Sequence, residues 1–280
     1  MTADIAKVRL PDGHLVPCLG QGTWRMGEDS SARAAEVAAL RRGVELGLTL
    51  IDTAEMYGDG GAEDMLGEAL RGLRDKVFLV SKVYPQNAGG AALRRACENS
   101  LRRLATDRID LYLLHWRGGV ALKATVAGMK DLQREGKIGA WGVSNLDADD
   151  MDELFAAGGT DCATNQILYN LLRRGPEFDL LPAMAKRKIP AMAYSPIEQG
   201  RLPKSGALAD IARRYEATTF QVALAWVLRR PDIIAIPKAA TIEHVTANRR
   251  ALDIKLDEEA LAALDQAFAP PRRKIPLAMI

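Results

Sequence analysis

The sequence predicts a single (β/α)8 barrel, and three observations predict it. Short β-branched runs alternate with Ala/Leu/Arg-rich segments of helical periodicity along the chain. The runs number eight, and three successive ones end in a polar residue rather than a turn signal. The chain has 280 residues, enough for one barrel of about 250 with short additions.

In chain order, strands are expected over 18–23, 48–53, 77–82, 110–115, 139–144, 162–168, 189–195 and 233–237. Helical periodicity occupies 32–46, 62–72, 90–104, 121–135, 147–156, 177–187, 206–229 and 241–250. The seventh of these reads as two helices, broken around Ala217 and Thr218. Ahead of the first strand, 8–17 reads as a β-hairpin around Pro11-Asp12-Gly13, a turn sequence that suits it to plugging the barrel floor. A last helix is expected over 257–267, followed by a Pro/Arg-rich tail from Pro270. The chain is therefore read as one domain over 1–280: hairpin 8–17, barrel 18–250, C-terminal helix and tail 251–280.

Composition excludes several classes. With 38 basic and 36 acidic residues the net charge is +2, so no overall field for nucleic acid or a membrane surface exists. No stretch approaches the roughly 18 apolar residues of a membrane span, and the N-terminus lacks the apolar core of a signal peptide. Cys18, Cys97 and Cys162 are odd in number, far apart and in no CxxC pattern, which argues against a zinc or disulfide framework. A reducing cytoplasm, no metal, no nucleic-acid partner and no membrane partner are the expectations.

In such a barrel the chemistry sits at the C-terminal ends of the strands. Asp52, Lys82 and His115 end three successive predicted strands, and Tyr57 follows the first closely. Singly, each has a bland reading as a rim ion pair or a core histidine. Together they define one polar pocket suited to carbonyl reduction, in which hydride reaching carbon leaves negative charge on oxygen. Tyr57 would donate the proton, Lys82 would lower the Tyr57 pKa, Asp52 would hold Lys82, and a neutral His115 would orient the substrate oxygen.

Leu50-Ile51-Asp52-Thr53-Ala54-Glu55-Met56-Tyr57-Gly58 resembles a signature of the aldo-keto reductase superfamily. Gly20-Gln21-Gly22-Thr23-Trp24, Trp141-Gly142-Val143-Ser144-Asn145, Asn165-Gln166, Ala193-Tyr194-Ser195-Pro196-Ile197 and Ile236-Pro237-Lys238-Ala239 resemble its other motifs, in order. Within it the sequence is most similar to bacterial methylglyoxal-reductase-type members. The resemblance implies a monomer with a catalytic tetrad of Asp52, Tyr57, Lys82 and His115.

No GxGxxG opens a helix, so a dinucleotide must lie at the barrel mouth. The resemblance implies NADPH, with NADH second. It assigns Ser144, Asn145 and Gln166 to the nicotinamide carboxamide and the Tyr194 ring to the nicotinamide face, beside Gly22, Thr23, Trp24 and Asp52. The alternative for Ser144-Asn145 is a turn that caps helix 147–156. Ser195, Pro196, Ile197, Gly200, Arg201 and Leu202 would cover the pyrophosphate. Ile236, Lys238, Ala239 and His244 would meet the 2′-phosphate end, and Asn248 the adenine. His244 stands where many members carry arginine, and Ala239 where many carry a hydroxyl, which weakens the preference for NADPH.

Trp24, Tyr84 and Trp116, with Tyr57 and His115, would wall a small substrate pocket. The 275–280 tail would close it, and Arg117 would add a charge suited to oxo-aldehydes such as methylglyoxal. Two other readings compete: a lyase or aldolase forming a Schiff base on Lys82, and a regulatory barrel that binds NADPH with little turnover.

Overall fold

The computed structural model describes residues 5–203 and 206–280. Strands β1 (Lys7–Arg9) and β2 (Leu15–Pro17) pair antiparallel, Val8 opposite Val16. Eight parallel strands follow: β3 (Gln21–Gly22), β4 (Leu50–Asp52), β5 (Phe78–Val83), β6 (Ile109–Leu114), β7 (Ile138–Ser144), β8 (Asn165–Leu168), β9 (Ala191–Tyr194) and β10 (Ile233–Ala235). Each pairs with its neighbour in sequence, as successive βα units require.

The outer helices are α1 (Arg33–Glu45), α2 (Gly61–Ala69), α3 (Gly90–Arg103), α4 (Leu122–Arg134), α5 (Ala148–Ala156), α6 (Leu180–Lys186), α7 (Gly206–Arg214), α8 (Thr219–Leu228), α9 (Ile242–Arg250) and α10 (Glu258–Ala267). Thr218 and Gln221 cap α8 reciprocally, which places the expected break in the seventh connection. Asp147 and Asp150 cap α5 the same way, so Ser144 and Asn145 are not its caps.

The first and last barrel strands are shorter than expected, because their pairing is carried by single bridges. Leu19 bridges Ala235 and Gly22 bridges Lys238, with Gly20 N–H donating to Ala235 O and Gly22 N–H to Pro237 O. These contacts close the barrel. Gly22 is required there: a Cβ on it would sit 2.8 Å from Ile236 O.

Inside the barrel, Leu50, Val80, Leu111, Met192 and Ile234 form an apolar layer against Val8, Leu10 and Val16 of the hairpin. The hairpin thus plugs the floor, as expected. A larger core lies between strands and helices and includes Trp226, Tyr169 and Met129. Cys18, Cys97 and Cys162 are buried free thiols. Among the described residues no helix is long and apolar enough to cross a membrane.

Candidate active site

Side chains two residues apart on a strand face the same way, so each floor residue has a partner one step nearer the mouth. Leu50 is followed by Asp52, Val80 by Lys82, Leu113 by His115 and Met192 by Tyr194, at the C-terminal ends of β4, β5, β6 and β9. Tyr57 opens a short 3-10 turn, Tyr57–Gly60, beyond β4.

Lys82 is fully buried, and its ammonium donates to three acceptors: Asp52 Oδ2 at 2.8 Å, the Thr53 carbonyl at 2.8 Å and the Tyr57 hydroxyl at 2.9 Å. An ammonium has three donors, so Lys82 has none to spare. Burial pushes the Asp52 carboxyl up and the Lys82 ammonium down, and their mutual attraction opposes both shifts. Tyr57 departs from the expectation. Burial first, and then the Asp52 charge, push its hydroxyl well above the ordinary phenol value. The neighbouring lysine does not ionise the tyrosine at rest; the phenol keeps its proton. Burial, then the Lys82 charge, drives His115 well below the ordinary imidazole value, so it is neutral at pH 7 as expected. Its Nδ1 is buried with no hydrogen-bond partner among the described residues.

The tetrad lies at one end of a cleft of about 950 Å³. Asp52, Tyr57 and His115 line it, whereas Lys82 sits behind Tyr57. Trp24 packs edge-on to Tyr57 with ring centroids 4.9 Å apart, and Trp116 lies 4.9 Å from His115. Both rings line the cleft. Tyr84 is set behind Trp116, 5.9 Å away, and is not part of the wall.

Along the cleft come Ser144, whose hydroxyl donates to Gln166 O at 2.9 Å, and Asn145, whose amide donates to His115 O and Ser144 Oγ and accepts from the Tyr194 hydroxyl at 2.9 Å. Gln166 and Tyr194 complete this polar end. Gly22, Ser195, Pro196, Ile197, Gly200, Arg201, Ile236, Lys238, His244 and Asn248 all line the remainder. Three sequence-derived contacts are off the wall: the Thr23 hydroxyl donates to Asp52 O, Leu202 packs on the outer core, and Ala239 is buried.

Arg117 is a further correction. Its guanidinium is taken by Glu153 at 2.9 Å and by the Gly118 and Val120 carbonyls, so it does not line the cleft. Among the described residues the Arg and Lys side chains that do are Arg25, Arg201 and Lys238. Arg25 was missed by sequence reasoning, although it directly follows Trp24; it holds a left-handed φ of 60° in a turn closed by Met26 N–H to Thr23 O at 2.9 Å. Met56, Gln199, Phe220 and Glu243 also line the cleft without having been singled out, while Met279 and Ile280 of the 275–280 tail line it as expected. The 195–199 segment carries positive φ at Ser195, Glu198 and Gln199 and is clamped from outside. There Asn170 Nδ2 donates to Ser195 O and Glu198 Oε2, both at 2.8 Å, and Arg173 pairs with Glu198.

A closed parallel barrel with a buried, hydrogen-bonded Asp–Lys–Tyr cluster at its mouth is the arrangement of an oxidoreductase of the aldo/keto type. The sequence profile of the Aldo/keto reductase family matches residues 18–269, and the chain belongs to that family. Methylglyoxal reductase YeaE of Escherichia coli (strain K12) is 57% identical over 271 residues, 95% of each chain. A crystal structure of an aldo/keto reductase from Klebsiella pneumoniae, in complex with NADP and acetate, superposes with a TM-score of 0.96 at 54% identity, over 99% of this chain and 100% of the other. The thermostable aldo-keto reductase Tm1743, solved with the inhibitor epalrestat, gives 0.89 at 38% identity over 94% and 99%.

Proposed function

We propose that the protein reduces small aldehydes and ketones, oxo-aldehydes such as methylglyoxal foremost, with NADPH as cofactor and Tyr57 as proton donor. The observation that carries the reading is the Lys82 ammonium 2.9 Å from the Tyr57 hydroxyl at the cleft wall, anchored by Asp52.

The donor set fits a dinucleotide. Amide and hydroxyl groups of Ser144, Asn145 and Gln166 and the Tyr194 ring suit a nicotinamide end. Arg25 and Arg201 suit a diphosphate, while Lys238, His244 and the capped N-terminus of α9 suit a ribose phosphate, with Asn248 beyond for the base. NADPH bound there supplies the hydride.

The chain's own residues do the rest. His115, held neutral, donates to the carbonyl oxygen and fixes its position, while Trp24 and Trp116 limit its surroundings to a small molecule. As charge grows on that oxygen, Tyr57 gives up its proton. The phenolate left behind lies against the Lys82 ammonium, which is already oriented by two other acceptors and needs no rearrangement. Lysine thereby assists the proton transfer as it happens, although burial keeps the resting phenol protonated. Homologous naming supports the substrate class: the E. coli relative is a methylglyoxal reductase and the Klebsiella one holds NADP.

The lyase reading is disfavoured by the same geometry. Schiff-base formation needs a neutral amine free to attack, and every Lys82 N–H is engaged at zero exposure. Three buried free thiols fit a reducing compartment. The test is loss of NADPH absorbance with purified protein and carbonyls graded from methylglyoxal to bulky aromatic ketones. Fastest consumption with the small oxo-aldehydes is expected; NADPH binding without turnover would replace this reading with the regulatory barrel.

A further inference from the structure

Gln166 joins the cofactor end of the cleft to the proton relay. It lies on β8, across the barrel interior from β4, and is 2% exposed. Its Nε2 is 2.7 Å from Asp52 Oδ1 and 3.0 Å from the Met192 sulfur. Asp52 Oδ2 receives the Lys82 ammonium, so this carboxylate has one oxygen for the lysine and the other for the glutamine.

The orientation of the amide follows from its partners. An ionised carboxylate only accepts, and a thioether sulfur only accepts, so the atom facing both must be the NH2 group. That group has two N–H donors and both are engaged. Only the carbonyl oxygen Oε1 remains for a molecule in the cleft.

We propose that Gln166 is a positioning residue for Tyr57, acting through Asp52 and Lys82; the carboxamide contact that the family resemblance already assigns to Gln166 would then fall on Oε1. This deepens the reductase reading and rests on it. By holding Oδ1, Gln166 fixes the Asp52 rotamer that aims Oδ2 at Lys82, and Lys82 in turn meets the Tyr57 hydroxyl. A carboxamide N–H drawn to Oε1 polarises the amide and strengthens its donation to Asp52, since linked hydrogen bonds reinforce one another. Seating of the cofactor thereby tightens the same relay that delivers the proton.

A double-mutant cycle tests this, with kcat and NADPH dissociation constant both measured for the wild type, Gln166→Met, Asp52→Asn and the pair. Gln166→Met should lower kcat by about ten- to a hundredfold in the wild-type background, as loss of catalytic alignment does. In the Asp52→Asn background the same change should lower kcat by less than about threefold, because residues acting as one unit are non-additive. The loss of NADPH affinity should be smaller in the Asp52→Asn background, because a coupling by which the seated cofactor strengthens the Gln166–Asp52 bond acts equally in reverse. Equal fold losses of kcat in the two backgrounds would overturn the coupling while leaving the reductase reading intact. Absence of turnover in the wild type would sink that reading and the coupling with it.

Gln166→Glu keeps the shape if methionine disturbs the fold. A protonated glutamic acid can donate to Asp52 where a carboxylate cannot, with Lys82 on the far oxygen and Tyr57 beyond it. Its kcat should recover toward wild type as the pH is lowered, in a range where wild-type kcat does not rise. A Gln166→Glu profile parallel to that of the wild type would contradict the donor role.

Discussion

The floor and the mouth of this barrel are built from the same strands and differ by a single step along each. On β4, β5 and β9 the inward residue at the floor is Leu50, Val80 or Met192; two positions on it is Asp52, Lys82 or Tyr194. At the floor the hairpin residues Val8, Leu10 and Val16 fill the space against these apolar side chains. At the mouth no hairpin covers the interior, and the charges there must satisfy one another. Stability can therefore be concentrated at one end and chemistry at the other, without either constraining the other's residues.

The difference is broken most sharply by removing one oxygen atom. Tyr57→Phe should cost about 10²- to 10⁴-fold in carbonyl reduction, with NADPH affinity nearly unchanged, read by steady-state kinetics and by binding titration. One Lys82 N–H is left without its acceptor, so a loss of about 1–3 kcal/mol in stability accompanies it. A variant within a few-fold of wild-type activity would remove Tyr57 from the donor role.

The floor should respond in the opposite sense. Leu111 is fully buried in the apolar layer, and Leu111→Ala should destabilise by about 2–5 kcal/mol in denaturant unfolding through lost burial and a residual cavity. Measured below its melting transition, kcat should stay within about twofold of wild type, since the packed floor makes no contact with substrate. A large kcat loss in folded Leu111→Ala would show that the two ends are not separable.

How much of this was legible follows from what periodicity can carry. The order of strands, the floor hairpin, the split before Thr218 and the clustering of Asp52, Tyr57, Lys82 and His115 were legible, because alternating and helical patterns and strand-end polar residues are local signals. The two-residue length of β3 was not, because on the side away from β4 it is met only by single bridges from Ala235 and Lys238, at the other end of the chain. Arg117 carried the right chemistry in the wrong place: its partner Glu153 lies 36 residues on, on the outer face of α5. Arg25 and Phe220 reach the cleft from a loop and a helix start far apart in the chain, an encounter no local pattern encodes. The direction of the Tyr57 shift was missed for a related reason. A sequence shows that a lysine is near, but not how deeply both groups are buried.

The burial of the mouth also gives a pH dependence. His115 binds its proton less readily in the folded chain than in the unfolded one, whose value is about 6.5. Its contribution is fully present above that pH. As the pH falls from about 6.5 toward the depressed folded value, the unfolded state takes up the proton first and stability declines, by up to about 1.4 kcal/mol per pH unit for one group. Urea unfolding at a series of pH values should show this slope, and His115→Gln should flatten it. An unchanged slope in that variant would mean that His115 is not the group responsible.

The smallest effect is expected at the far end of the cleft, where the mouth is most open to solvent. His244 is exposed in the first turn of α9, its N–H held by the Thr241 hydroxyl at 3.3 Å, with the Glu243 carboxylate beside it and Lys238 as the neighbouring cation of the wall. An imidazole there offers a phosphate one ring N–H rather than a two-pronged donor, and the neighbouring carboxylate partly offsets its attraction for a 2′-phosphate. His244→Arg supplies a permanent charge and a two-pronged donor. It should tighten NADPH by about tenfold, roughly 1.4 kcal/mol, and leave NADH unchanged, since only the phosphate distinguishes the two. Binding titrations with both cofactors check it: equal tightening of NADH would place His244 against the part of the molecule they share, away from the 2′ position.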